Sequence, residues 1–256
     1  MKKLNFIIKC GLALLLLSFY SCESWLNVTP SDRLSEEMLF NDREGFVKAL
    51  NGVYIELNTN ELYGRNLTAG ALDVMGQYYS VASSSHAFYN YGGLVYTGND
   101  EKALFDNMWQ KCYAVIACCN TIIEKCDENK AGLSPVWRGS IKGEALALRA
   151  MLHFDMLRLF GPLTSELDKE SIPYQTNSDQ TVTPLLSGSE VVGLILDDLK
   201  NAVGLLKDTD PYFVEEEFSD TDLNYRRFRM NYFAAKGLMA RVQLWGGDKE
   251  KAAATA

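Results

Sequence analysis

This 256-residue sequence predicts a mainly α-helical fold, a tetratricopeptide-like helical-repeat scaffold with long loops, and three observations carry that prediction. Apolar residues recur at spacings of three and four in segment after segment, the stripe of a helix packed on one side. Strand signals are weak and short. Near the C-terminal end, MARVQLWGGDKEKAAATA sets Ala240, Gly247, Asp248 and Ala252 at the spacing of the small residues and turn of a tetratricopeptide unit, where two helices pack closely around a tight glycine turn.

The first segment reads as an export signal. Lys2 and Lys3 make a positive start, and an apolar stretch from Leu4 to Tyr20 follows, densest between Gly11 and Leu17. A membrane-crossing helix needs about 20 apolar residues, and Lys9 interrupts this run. Cys22 then stands where the apolar run gives way to a polar, Pro-containing segment. Bacterial lipoproteins are cut directly before a cysteine, whose thiol carries a diacylglycerol. Ser21 is the small residue such a cut requires, whereas Phe19 stands where Leu is usual and Tyr20 is bulkier than the position favours. Residues 1–21 are therefore expected to be a signal peptide, Cys22 the lipidation site, residues 22–41 a lipid tether and extended segment, and residues 42–256 the helical domain. Acyl chains contribute about 0.8 kcal/mol per buried methylene, so three of them anchor a chain durably.

Within that domain, Asp42 to Leu57 carries Phe46, Val47, Leu50, Val53, Tyr54 and Leu57 on one stripe. A second helix is expected from about Leu67 to Tyr79. The segment Lys102 to Asn129 has helical spacing and contains Cys112, Cys118, Cys119 and Cys126. Three of these recur every seven residues and so lie about 10 Å apart along one face, too far for the roughly 4.4–6.8 Å Cα separation of a disulfide. Nor do they match the paired spacing of a zinc site. They read as small apolar residues at a packing seam.

Leu133 to Phe160 is the next helix, with Ser134 as N-cap, Pro135 at the first helical position and Gly161-Pro162 as its stop. Its stretch GEALALRAMLHFDMLRLFGP is apolar nearly all round and is expected to lie buried. Glu144, Arg149, Asp155 and Arg158 on it then need partners, and His153 reads as a hydrogen-bonded core histidine. Gly188 to Leu206 and Asn231 to Trp245 complete the helices, and Lys249 to Ala256 reads as the first turns of another. Trp109, Trp137 and Trp245 fall within helices and are expected in the core. Two loops break the pattern, Val81 to Asp100, rich in Ser, Gly, Asn and Tyr, and the polar Thr164 to Pro184. Loops of that length are often functional.

The net charge of −8, more negative still without Lys2, Lys3 and Lys9, argues against a nucleic-acid partner. The densest basic cluster, Arg226-Arg227-Phe228-Arg229, follows the acidic Glu215-Glu216-Glu217 and reads as a solvated, salt-bridged loop. Enzyme signatures are absent: there is no G-x-S-x-G elbow, no H-E-x-x-H and no phosphate-binding glycine loop, and His86 and His153 are the only histidines. No catalytic residue, metal site or cofactor is expected.

Three stretches together carry a resemblance. Cys22 with Trp25-Leu26-Asn27-Val28-Thr29-Pro30, the GEALALRAMLHFDMLRLFGP helix and the RMNYFAAKGLMARVQLWGGDKEKAAATA block are similar to the SusD/RagB family of outer-membrane lipoproteins. The resemblance spans nearly the whole chain. Family members are about twice this long, so it implies an N-terminal half. It also implies a surface-exposed, lipid-anchored outer-membrane protein without enzymatic activity, which captures oligosaccharides, or peptides in RagB-like members, and lids a SusC-like TonB-dependent transporter. In such a protein aromatic faces stack on sugar rings while amides and charged groups bond the hydroxyls. The residue types suited to that role concentrate in and before the first loop: Asp73, His86, Tyr89, Asn90, Tyr91 and Tyr96, with Phe88, Gln77, Tyr78 and Tyr79 beside them. The other reading of the same sequence is a repeat scaffold that binds envelope proteins and no small ligand.

Overall fold

The computed structural model describes residues 36–179, 181–214, 218–219 and 225–256. The expected signal peptide, Cys22 and residues 25–30 lie outside the described residues, as do 215–217. Residues 1–39 and 40–256 form separate compact units, and the first contributes one short helix, α1 (Glu36–Leu39). The second unit holds α2 (Arg43–Leu57), α3 (Ala71–Met75), α4 (Tyr89–Gly92), α5 (Asn99–Glu128), α6 (Pro135–Phe160), α7 (Gly188–Thr209), α8 (Tyr232–Trp245) and α9 (Lys249–Thr255). Two short strands, β1 (Glu170–Pro173) and β2 (Leu185–Ser187), pair antiparallel with Glu170 opposite Ser187 and Pro173 opposite Leu185. No helix among the described residues is long and apolar enough to cross a membrane.

The helix starts follow from side chains that accept the otherwise unpaired first-turn N–H groups. Asp42 accepts from Gly45 N at 2.8 Å, Asn231 from Ala234 N at 2.8 Å and Asp248 from Lys251 N at 3.0 Å. Ser134 caps α6 with Pro135 following it, and Ser187 with Glu190 forms a reciprocal capping box on α7. α8 and α9 are joined through Gly246 and Gly247, the latter at φ +90°, a conformation that favours glycine. This is the tight helical hairpin the terminal motif predicts.

α6 is the spine. It packs on α5 and, most extensively, on α7, while α7 carries α8, α8 carries α9, and α2 lies against α5. The α6–α7 crossing depends on Gly139 and Gly143: a Cβ at either would meet Thr209 or Leu206 at less than 3 Å. Phe154, Leu148, Leu152, Met156 and Leu157 of α6 are buried together with Phe46, Met108, Ile116, Ile195 and Leu199, each such side chain contributing roughly 1.5–3 kcal/mol by leaving water.

Three expectations need correction. The helix expected from Leu67 to Tyr79 is only the five residues of α3, because Gly70 and Gly76 bound it and Gln77 turns left-handed at φ 62°. Among the cysteines, Cys112, Cys119 and Cys126 lie buried on the seam but Cys118 is exposed, a helical step away from that face. Trp109, Trp137 and Trp245 are half-buried rather than core. Both long loops also carry more structure than expected: α4 interrupts the first, α5 begins at Asn99 within it, and a 3₁₀ turn (Thr164–Glu166) and β1 occupy the second.

Candidate functional site

Two buried polar networks fix the frame on which the candidate surface stands. The first centres on Glu144 of α6, which is 2 % exposed. Its carboxylate accepts from Tyr54 of α2, from Arg226, and from Arg229 Nε at 2.7 Å. Arg226, 3 % exposed, also donates from Nη2 to Asp210 Oδ2 at 2.7 Å, and Asp210, fully buried, accepts the backbone N–H of Tyr232 at 2.9 Å. Arg229 lies over the Tyr54 ring at 4.6 Å and bonds Asn51 at 2.7 Å. The expected solvated, salt-bridged loop is salt-bridged at Arg226 and Arg229, but Arg226 is buried and Arg229 half-buried rather than solvated. Burial of a guanidinium is tolerable only with its carboxylates in place, and those carboxylates come from Glu144 and Asp210, distant in sequence. Arg227 and Phe228 are exposed.

The second network is built on Arg149, one helix face away. Its guanidinium forks onto Asp198 of α7 with both N–H···O distances at 2.7 Å, and it also bonds Asn120 at 2.8 Å and the Thr176 carbonyl at 3.2 Å. Tyr174 donates to Asp198 at 2.6 Å and stacks on His153 with ring centroids 3.9 Å apart. Asn120 Nδ2 donates to the carbonyl of Asn177 at 2.8 Å. One cation thus holds α5, α6, α7 and the segment after β1. Asp155, by contrast, accepts from Tyr63 at 2.7 Å and pairs with Arg158, so the charges of the central helix are partnered as the sequence requires.

His153 is fully buried, with its Nε2 accepting the Gln175 N–H at 3.0 Å and its Nδ1 3.0 Å from the Arg149 carbonyl. That pattern belongs to the neutral ring. Burial, reinforced by the Arg149 charge, pushes its pKa down to about 3. In the unfolded chain the ring takes a proton near pH 6.5, so between those values the unfolded state binds more protons. Stability is then expected to fall as pH drops from about 6.5 toward 3, with a slope of up to about 1.4 kcal/mol per pH unit from this group. Urea unfolding of wild type and His153→Gln across that range measures it, the variant showing the shallower decline.

The first loop and its approach form the candidate surface. α3 and α4 pack together, and Gln77 Nε2 donates to the Gly92 carbonyl at 2.9 Å, so the segments carrying Tyr78 and Tyr89 are held side by side. Tyr78 is 80 % exposed, Tyr79 52 % and Tyr89 42 %. His86 is exposed, its Nδ1 accepting the Phe88 N–H, and Asp73 is half-buried in the first turn of α3. Asn90 donates its amide to Glu101 at 2.8 Å, which ties the loop to the start of α5.

Tyr91 does not belong to this surface. It is 2 % exposed, packed edge-on against Phe88 and Phe105, and burial beside the Glu101 and Asp100 carboxylates pushes its hydroxyl up to about 12. Tyr96 is half-buried and meets Phe105 edge-on at 5.4 Å. These two rings begin a chain of aromatic contacts through Phe105, Phe160, Trp109 and Tyr113 to His153. They anchor the loop to the second network and leave Tyr78, Tyr79 and Tyr89 as the rings with open faces. No group of three or more His, Cys, Asp or Glu among the described residues could hold a metal ion.

The described residues thus form a helical scaffold with exposed aromatic and amide groups on an anchored loop. The chain belongs to the SusD-like family: residues 24–244 match the family described as starch-binding and associating with the outer membrane. SusD-like protein P2 of Formosa agariphila is 25 % identical over 98 % of this chain and 44 % of its own length. A SusD-like protein of Bacteroides ovatus is 30 % identical over 56 % of this chain and 23 % of its own. Among solved structures, a SusD-like carbohydrate binding protein from Bacteroides vulgatus superposes with a TM-score of 0.65 at 23 % identity, covering 84 % of this chain and 44 % of that one. A laminarin binding SusD-like protein superposes at 0.60 with 16 % identity, covering 84 % and 42 %. The chain thus spans less than half the length of the curated relatives it matches, and the expected helical fold is the one these structures share.

Proposed function

We propose that this chain is the N-terminal helical part of a non-enzymatic outer-membrane lipoprotein that captures oligosaccharides and passes them to a SusC-like TonB-dependent transporter. The observation that carries the reading is the family match over residues 24–244. Cys22 supplies the lipid anchor on the cell surface. Tyr78, Tyr79 and Tyr89 supply flat apolar faces for sugar rings, with Asp73, His86 and Asn90 beside them for hydroxyls. Tyr91 and Tyr96 support that platform from beneath. A glucan is the first ligand class to try, since one structural neighbour binds laminarin.

The test is isolation of the native full-length protein from its own membranes in mild detergent, followed by mass spectrometry. Expected are a large β-barrel transporter in the same fraction and an N-terminal peptide that begins at an acylated Cys22. An unacylated chain with no barrel beside it would overturn the reading in favour of a repeat scaffold.

A further inference from the structure

A cavity of about 440 Å³ opens between α2, α6 and the residues that precede α8, walled by Tyr54, Trp137, Phe218, Tyr225 and Phe228. It is separate from the loop surface, and no residue of Asp73 to Tyr96 lines it. Tyr225 is 63 % exposed and Phe228 74 %, so both offer ring faces to an occupant. Its polar lining is unevenly satisfied. Glu144 and Arg226 are fully engaged in the first network, as described above. Ser140, only 5 % exposed, lines the cavity and makes no hydrogen bond among the described residues. Trp137 Nε1 and Arg229 Nη2 make none either, although Arg229 Nε and Nη1 are held by Glu144 and Asn51.

Neither Ser140 Oγ nor Trp137 Nε1 is among the sealed, unpartnered atoms, so both face the open cavity; a purely apolar occupant would strip them of solvent and give no hydrogen bond in return, which costs free energy. An occupant that presents one apolar face to rings and oxygen acceptors to N–H and O–H donors avoids it. A sugar ring has both, and a cavity of this size falls in the range that small ligands fill. We infer that this cavity is a second carbohydrate subsite, sized for one or two sugar rings, in which Ser140 and Trp137 donate to ring or hydroxyl oxygens and Tyr225 or Phe228 covers the apolar face. The inference rests on the glycan-capture reading and adds to it a site for a chain end remote from the tyrosine platform.

Ser140→Ala gives a clean test, because its hydroxyl makes no hydrogen bond among the described residues and its removal is expected to leave the melting temperature unchanged. Trp137→Phe keeps an aromatic ring beside Arg43 and Phe218 and removes the indole donor together with part of the ring surface. Full-length wild type, each variant and Tyr78→Ala/Tyr89→Ala are titrated with methyl glucoside, methyl galactoside and methyl mannoside by saturation-transfer NMR. Saturable binding of at least one, weakened about tenfold per deleted donor, the scale of one hydrogen bond of about 1.4 kcal/mol, and unaffected by the tyrosine variant, is the expected result. No saturable binding, or equal binding by Ser140→Ala and wild type, overturns the subsite. If oligosaccharide binding is nonetheless lost in the tyrosine variant, the platform stands and only the second subsite falls.

Discussion

Arg226→Met is expected to unfold the helical domain or bring it close to unfolding. The substitution leaves Asp210, fully buried, without its cation and strips one of two guanidinium groups from Glu144. Removing one partner of a buried ion pair typically costs about 3–5 kcal/mol. Domains of this size are stable by only about 5–15 kcal/mol, so one side chain commands much of the margin. The loss also reaches across the fold, since Asp210 receives the Tyr232 N–H at the start of α8 and Glu144 receives Tyr54 of α2. Denaturant titration followed by circular dichroism should show a large fall in midpoint. An unfolding free energy within about 0.5 kcal/mol of wild type, the range of ordinary surface substitutions, would mean the network does not hold these helices.

Arg149→Met is expected to cost a similar amount, about 3–5 kcal/mol, and to loosen the segment after β1 selectively. That segment depends on the Arg149 bond to the Thr176 carbonyl and on Tyr174, whose hydroxyl donates to the Asp198 carboxylate that Arg149 neutralises. The cost arises from Asp198 left buried and unpaired, so the double variant Arg149→Met/Asp198→Leu should recover most of it, as replacement of a whole buried pair by apolar groups often does. Amide exchange near Tyr174 to Asn177 reads the local effect, and the double-mutant cycle reads the coupling. Additive losses in the double variant would contradict the pairing.

These networks also mark where the sequence could and could not be read. The helices were legible because their signals are local: Ser134-Pro135 starts α6, Ser187 with Glu190 starts α7, and apolar spacing runs through both. The need of Glu144 and Arg149 for partners was legible too, from charge set in an apolar helix. The identity of the partners was not. Asp198 lies 49 residues from Arg149 and Arg226 lies 82 from Glu144, and nothing in their own neighbourhoods announces burial. Arg226 stands among like charges, the pattern of a solvated loop, until two distant carboxylates are brought to it.

The same distinction governs the candidate surface. Composition pointed to the segment that carries Tyr78, Tyr89 and Tyr91, because rings and amides are concentrated there. It could not tell which rings face out. Tyr91 is turned inward by its contacts with Phe88 and Phe105, whereas Tyr78 follows Gln77, whose left-handed backbone ends α3 and leaves the next ring in solvent. Tyr89, two residues before the buried Tyr91, differs from it only through tertiary packing.

The claim that this surface binds glycan is tested most directly by calorimetric titration of the native full-length protein and its Tyr78→Ala/Tyr89→Ala variant with a panel of oligosaccharides. Both rings are exposed, so the variant should keep the wild-type melting temperature. Stacking of a ring on an aromatic face buries apolar area at roughly 25 cal/mol per Å², and loss of both faces is expected to weaken binding at least tenfold. Undiminished affinity in a folded variant, for a ligand the native protein binds, would contradict the account.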